Sequence, residues 1–208
     1  MSWNNRKLVL KKELCDILIR IGALQFGSFT LSSGKLTPYY IDLRIVPSYP
    51  EVFQKIMKIY IETAKNDIDP EKFCRVAGIP TAGLPFASVL AYSLSKPLIY
   101  VRKEAKTHGR ERRVEGILQS GDQVLLVDDL VTTGGSLIDA ADAVRAEGGV
   151  VENALVLLDR EEGGRRNLKN KGIALNCLAT MSEISKVLYY VGTISEEHFK
   201  EILKQIEK

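Results

Sequence analysis

Positions 124–136 read Val-Leu-Leu-Val-Asp-Asp-Leu-Val-Thr-Thr-Gly-Gly-Ser. The apolar start predicts a strand, which puts the carboxylates Asp128 and Asp129 at its C-terminal end, where α/β proteins bind ligands. Leu130, Val131, Thr132, Thr133, Gly134, Gly135 and Ser136 follow and lead into a helix. Glycine lets backbone approach a ligand closely, and a helix N-terminus offers free N–H groups and a positive dipole. That half of the string suits a phosphate monoester. Carboxylates repel phosphate, so Asp128 and Asp129 face something else: sugar hydroxyls, or a metal held with them. The competing reading is an Asp-rich turn with Ser136 as a helix N-cap. Neither a G-x-x-x-x-G-K-[ST] loop nor G-x-G-x-x-G is present here.

A second cluster is basic. Arg102, Lys103, Lys106 and His108 are followed by Arg110, Arg112 and Arg113, so residues 102–116 hold six cations, three acids and one histidine. The bland reading is a solvated charged loop. Its length, and Gly109 and Gly116 within it, favour an active-site lid instead. Lysine and histidine on a lid neutralise a departing diphosphate and keep water from a reactive sugar cation.

These segments need a scaffold. Leu10, Leu14, Ile17, Leu18 and Ile21 recur at helical spacing over residues 6–21, and Gly22 stands where that helix would stop. Residues 26–42 read as strand, loop and strand; Pro50 to about Asn66 is helical. Strands then follow at Phe73–Ala77, Pro97–Val101, Gln123–Val127, Val150–Leu158 and Ile173–Leu178. Helices are expected at 84–95, Ser136–Glu147, 182–190 and 195–207, with polar connections at 102–120 and Asp159–Asn170. Strands separated by helices imply an α/β fold with a mainly parallel sheet covered on both faces.

Composition bounds the rest. The 208 residues are 45% hydrophobic and 26% charged, with a net charge of +3, which excludes intrinsic disorder. No apolar run reaches the ~18 residues of a membrane span, and the N-terminus lacks a secretory apolar stretch. Cys15, Cys74 and Cys177 are scattered without a C-x-x-C pair, as expected of reduced, buried thiols in a cytoplasmic protein. No helix-turn-helix signature and no cationic excess outside the lid point to nucleic acid, and one domain over 1–208 is expected. His198 and the Lys/Glu alternation of 196–208 read as helix surface, and Trp3 as a residue packing the N-terminal arm against a neighbour.

Asp128–Ser136 resembles the phosphoribosyl diphosphate motif of the type I phosphoribosyltransferases. Arg-Lys-Glu-Ala-Lys-x-His-Gly over 102–109 resembles the loop of the orotate phosphoribosyltransferase family in particular. Phe29–Gly34 with Pro38-Tyr39-Tyr40, and Leu158-Asp159-Arg160-Glu161-Glu162-Gly163-Gly164, resemble further segments of that family in the same order. The resemblance implies the type I phosphoribosyltransferase fold, with residues 1 to about 45 as a hood over the base site. It implies phosphoribosyl transfer to orotate, Mg²⁺ bound mainly through substrate and partly through Asp128 and Asp129, and a homodimer sharing the lid. Arg102, Lys103, Lys106, His108 and Asp128–Ser136 match the phosphoribosyl diphosphate site, with Lys106, His108, Asp128 and Asp129 in catalytic roles. Thr132, Arg160 and the Tyr39–Tyr40 region, Tyr40 included, match orotate contacts. Orotate carries a carboxylate that a planar guanidinium holds bidentately, which supports Arg160 independently. Its bland alternative is a surface arginine paired with Glu161 or Glu162. Many relatives carry lysine at the positions of Ser32 and Ala82; Lys35, Arg110, Arg112 or Arg113 are candidate substitutes. Transferases for other bases and a non-catalytic sensor of phosphoribosyl diphosphate are the rivals.

Overall fold

A computed structural model describes residues 1–30, 34, 36–103 and 112–206. The elements run α1 (Trp3–Arg20), β1 (Leu24–Thr30), β2 (Leu36–Ile41), α2 (Pro50–Thr63), β3 (Arg75–Gly78), α3 (Gly83–Ser93), β4 (Leu98–Val101) and β5 (Val114–Glu115). There follow β6 (Gln123–Val127), β7 (Leu130–Val131), α4 (Gly135–Ala146), β8 (Val150–Asp159), α5 (Gly164–Asn170), β9 (Ala174–Thr180), α6 (Met181–Tyr190) and α7 (Glu196–Ile206).

Seven strands form one sheet in which β4, β3, β6, β8 and β9 are parallel neighbours, and β5 closes one edge antiparallel to β4. The ten-residue β8 takes β6 along its first half and β7 at its end, on the same edge. β1 and β2 form a separate antiparallel hairpin. It packs against α7, while α1 packs against α6 and β9.

Both sheet faces are covered, and strand alternation divides the core in two. Leu125 and Val127 of β6 face the larger cluster, built with α1, α2, α3 and α6. Val124 and Leu126 face the smaller one, beneath α4 and α5. Strands buried on both faces explain the near-continuous apolar runs.

Several expectations need correction. The supposed connection at 102–120 contains β5, and Asp128–Gly135 contains β7; two-residue strands leave no alternation to read. The polar turn at Asp159–Asn170 contains α5, whose buried residues are only Gly164 and Leu168, too few for a visible helical stripe. Trp3 packs within the chain: its Nε1 donates to Asp67 at 2.6 Å and Lys7 sits over its ring. Of the three free thiols only Cys15 is buried; Cys74 is exposed.

Candidate active site at the carboxyl end of the sheet

β6 is paired on both edges, Val127 lying beside Gly78 and Leu155, so Asp128 and Asp129 leave the sheet at a defined point. Both are nearly buried, at 9% and 8% exposure. The Asp129 backbone N–H donates to Asp128 Oδ1 at 2.9 Å, and the Leu130 N–H donates to Asp129 Oδ1 at 2.8 Å. From α2, the buried Tyr60 hydroxyl donates to the Asp128 carbonyl oxygen at 2.7 Å. Tyr60 is held in turn by stacking on Phe86 of α3, centroids 5.4 Å apart. Burial pushes the Asp128 carboxyl up to about 8, and the Asp129 charge adds to the rise. Burial also raises Asp129, against backbone hydrogen bonds and the cation of Arg44. Both shifts share one cause, the burial of two adjacent carboxylates that disfavours their carrying two charges together.

The loop that follows is organised from the far side. Arg160 N–H donates to the Val131 carbonyl (2.9 Å), Gly164 N–H to the Thr132 carbonyl (2.9 Å), and Asn167 Nδ2 to the Thr133 carbonyl (3.0 Å). The carbonyls thus turn towards α5. Gly164 must be glycine for this approach, since a Cβ there would lie 2.6 Å from the Thr132 oxygen. The N-cap of α4 is Gly134, at φ +82°, and no side chain caps the helix; Ser136 lies inside it and is not the cap. The first-turn N–H groups thus lack a side-chain acceptor, the arrangement that attracts anions. Asp128, Leu130, Val131, Thr132, Thr133, Gly134, Gly135 and Ser136 all line one cavity of about 170 Å³. Val131 is buried in the core, so its side chain is structural.

A neighbouring cavity of about 320 Å³ shares Gly135 and Ser136 and adds Arg102, Lys103, Ile79 and Pro80. Arg102 makes an ion pair with Glu115 at 3.3 Å, on the strand beside it. Arg113, a candidate substitute for a missing lysine, pairs with Asp139 and donates to the Arg102 carbonyl. Arg112 is exposed. Ser32, Lys35, Lys106, His108 and Arg110 lie outside the described residues.

Arg160 is not a surface arginine; it is 8% exposed. Its guanidinium lies over the Tyr39 ring at 5.1 Å, and Nε donates to the Tyr39 hydroxyl at 3.3 Å. Glu162 stands 2.7 Å from Nη2. β2 alternates, so Tyr39 turns inward and Tyr40 outward. Tyr40 instead accepts from Arg44 Nη2 at 3.2 Å, while Arg44 grips Asp42 with two further bonds. Tyr60, Arg44 and Gly164 were missed as site residues from sequence, whereas Glu162 is named there as a possible partner of Arg160, and the two do pair. In sequence Gly164 reads only as the end of the family-like turn that follows Arg160.

The phosphoribosyl transferase domain family matches residues 46–189. An orotate phosphoribosyltransferase of Cenarchaeum symbiosum is 42% identical over 186 residues, covering 89% of this chain and 91% of the relative. Among solved structures, orotate phosphoribosyltransferase from Aeropyrum pernix has a TM-score of 0.76 at 37% identity, covering 88% of this chain and 99% of that one. The longer UMP synthase of Leishmania donovani has a TM-score of 0.82 at 31% identity; 95% of this chain matches, spanning 42% of that protein. Similarity of this extent, in sequence and in a fold with a mainly parallel sheet between helices, shows that the chain belongs to the orotate phosphoribosyltransferase family.

Proposed function

We propose that the chain transfers the phosphoribosyl group of 5-phospho-α-D-ribose 1-diphosphate to N1 of orotate, giving orotidine 5′-monophosphate and diphosphate in pyrimidine nucleotide synthesis. The observation that carries this reading is the adjacency of a buried cation to an anion loop: the Arg160 backbone bonds the Val131 carbonyl of the loop. A phosphate cradle beside an arginine suited to a carboxylate matches a sugar phosphate joined to a carboxylated base.

In this reading Thr132–Ser136 hold the 5′-phosphate through backbone N–H groups, and Leu130 and Val131 contribute backbone only. Asp128 and Asp129 hold the ribose hydroxyls, and their field favours positive charge at the anomeric carbon as the bond to diphosphate breaks and the bond to N1 forms. Arg102, Lys103, Lys106 and His108 neutralise the leaving diphosphate; Thr132, Arg160 and the Tyr39–Tyr40 strand line orotate. Positioning and electrostatics suffice, without a protein nucleophile.

Mg²⁺ is the proposed cofactor. Among the described residues no three His, Cys, Asp or Glu side chains cluster to hold a metal. Two adjacent carboxylates, Asp128 and Asp129, fit an ion held mainly by substrate oxygens. When bound, it would neutralise charge on the diphosphate.

A homodimer is proposed as well. Leu98 and Tyr100 of β4 and Ile117 just after β5 leave apolar side chains exposed at this side of the sheet, and Tyr92 of α3 is 87% exposed. Tyr100 lies two residues before Arg102, so a copy docked there would bring the two basic segments near one another. No described helix is long and apolar enough to cross a membrane; a cytoplasmic location is part of the proposal. The test is loss of orotate absorbance with phosphoribosyl diphosphate and Mg²⁺, with adenine, hypoxanthine and uracil in parallel. Consumption of another base in preference to orotate would overturn the reading, and ligand binding without turnover would point to a sensor.

A further inference from the structure

Glu162 brings a carboxylate to the guanidinium proposed to read the carboxylate of orotate. Its Oε1 lies 2.7 Å from Arg160 Nη2. Despite that distance, neither atom makes an aligned hydrogen bond, and both are shielded from water. Burying two charges is costly unless geometry is good, so the pair is held by attraction without directional bonds. Arg160 has an anchor besides Glu162: its Nε donates to the Tyr39 hydroxyl at 3.3 Å, and its guanidinium carbon lies 5.1 Å from the centre of the Tyr39 ring. The neighbouring Glu161 does not compete, because its carboxylate accepts from the Ser182 backbone N–H and hydroxyl.

We infer that Glu162 is an internal stand-in for the substrate carboxylate, occupying Arg160 in the empty site and leaving it when a carboxylated base binds. It is a specificity-determining residue that weakens orotate binding and leaves uncharged bases unaffected. The charges require the exchange: two carboxylates against one buried guanidinium leave an uncompensated negative charge, whereas a departing Glu162 leaves one matched pair. Glu162 sits between Glu161 at φ +60° and Gly163 at φ +93°, in a turn separate from the strand that holds Arg160 in place. The inference holds only if Arg160 reads the base carboxylate, as proposed above.

Glu162→Gln removes the competing charge with little change of shape. The expected result is an orotate KM lower by about fivefold, with the KM for phosphoribosyl diphosphate and the efficiency with uracil unchanged. The orotate-to-uracil preference then widens by the same factor. Glu162→Asp, which draws the carboxylate back by one methylene, should move orotate KM the same way by less, and serves if the glutamine variant folds poorly. An orotate KM that stays constant or rises in a variant with the wild-type melting temperature overturns the inference, since Glu162 would then orient Arg160 permanently. Arg160→Ala separates the two levels. If it leaves the orotate-to-uracil ratio unchanged, the reading of Arg160 fails and the inference with it. If it narrows the ratio while Glu162→Gln does not widen it, only the role of Glu162 fails.

Discussion

The Tyr60 hydroxyl and the Asp128 carbonyl oxygen meet at 2.7 Å across 68 residues of sequence, tying α2 to the peptide between the two site carboxylates. Tyr60→Phe keeps the stacking on Phe86 but leaves that carbonyl without its partner. Loss of a buried hydrogen bond should cost about 1–2 kcal/mol of stability. If the bond also fixes the acid pair, kcat should fall about tenfold with substrate KM values nearly constant. Denaturant unfolding and steady-state kinetics on one preparation check both; an unchanged kcat would make Tyr60 a packing residue only.

The raised Asp128 pKa makes the site a source of instability with a defined pH window. An unfolded aspartate titrates near 4, whereas Asp128 in the fold titrates at about 8. Between those values the folded chain holds a proton that the unfolded chain has lost, so stability falls as pH rises through this range. Asp128→Asn retains an oxygen acceptor for the Asp129 N–H and removes the charge. It should stabilise the ligand-free protein by about 1–3 kcal/mol at pH 8, much less at pH 4, while nearly abolishing activity. Unfolding measured at both pH values decides this; equal effects at the two would contradict a raised Asp128 pKa.

Gly164 lets α5 approach the anion loop so closely that a Cβ would lie 2.6 Å from the Thr132 oxygen. Gly164→Ala must push the loop away, and the Thr132–Ser136 backbone moves with it. The KM for phosphoribosyl diphosphate should rise by about tenfold or more, with a stability loss of about 1–3 kcal/mol from overpacking. Inhibition by inorganic phosphate should weaken in parallel, and an unaltered phosphate affinity would separate α5 from the cradle.

How much of this was legible in sequence depended on how each residue acts. Asp128, Asp129 and the Thr132–Ser136 loop are contiguous, follow a strand of strong apolar signal, and were readable as one site. Arg160 was readable because its turn resembles that of the family and a guanidinium suits a carboxylate, but neither its burial nor its place beside the loop was. Tyr60 lies in a helix whose apolar stripe predicts only core, and nothing local marks its hydroxyl as bound to a loop 68 residues away. Arg44 acts on the site through Asp129, which only the fold brings near, whereas Glu162 lies two residues from Arg160 and its pairing was readable, though not its burial. The short strands β5 and β7 exist because β4 and β8 offer them an edge, a tertiary cause that no local periodicity records.

The basic segment after β4 carries the remaining chemistry of the proposal. Lys106→Ala and His108→Ala should each lower kcat by about tenfold or more, with the melting temperature preserved, because their charge is required against diphosphate rather than for packing. Mixing Lys106→Ala with Asp129→Asn should restore partial activity if the segment acts across a dimer. Demonstrated heterodimers without any restoration would exclude sharing, and parallel losses of activity and melting temperature would assign the segment to structure.

Base selection is the central claim, and Arg160 tests it most directly. A charge-assisted contact to the orotate carboxylate is worth about 1.5–3 kcal/mol, so Arg160→Ala should lower kcat/KM for orotate by at least about tenfold. The KM for phosphoribosyl diphosphate should change far less, since its cradle retains the α4 N-terminus. Uracil lacks the carboxylate, so its efficiency should hold and the orotate-to-uracil ratio should narrow by the same tenfold or more. The deciding measurement is kcat/KM for both bases in wild type and Arg160→Ala. A narrowed ratio is the expected result; an unchanged ratio in a folded variant would contradict the account.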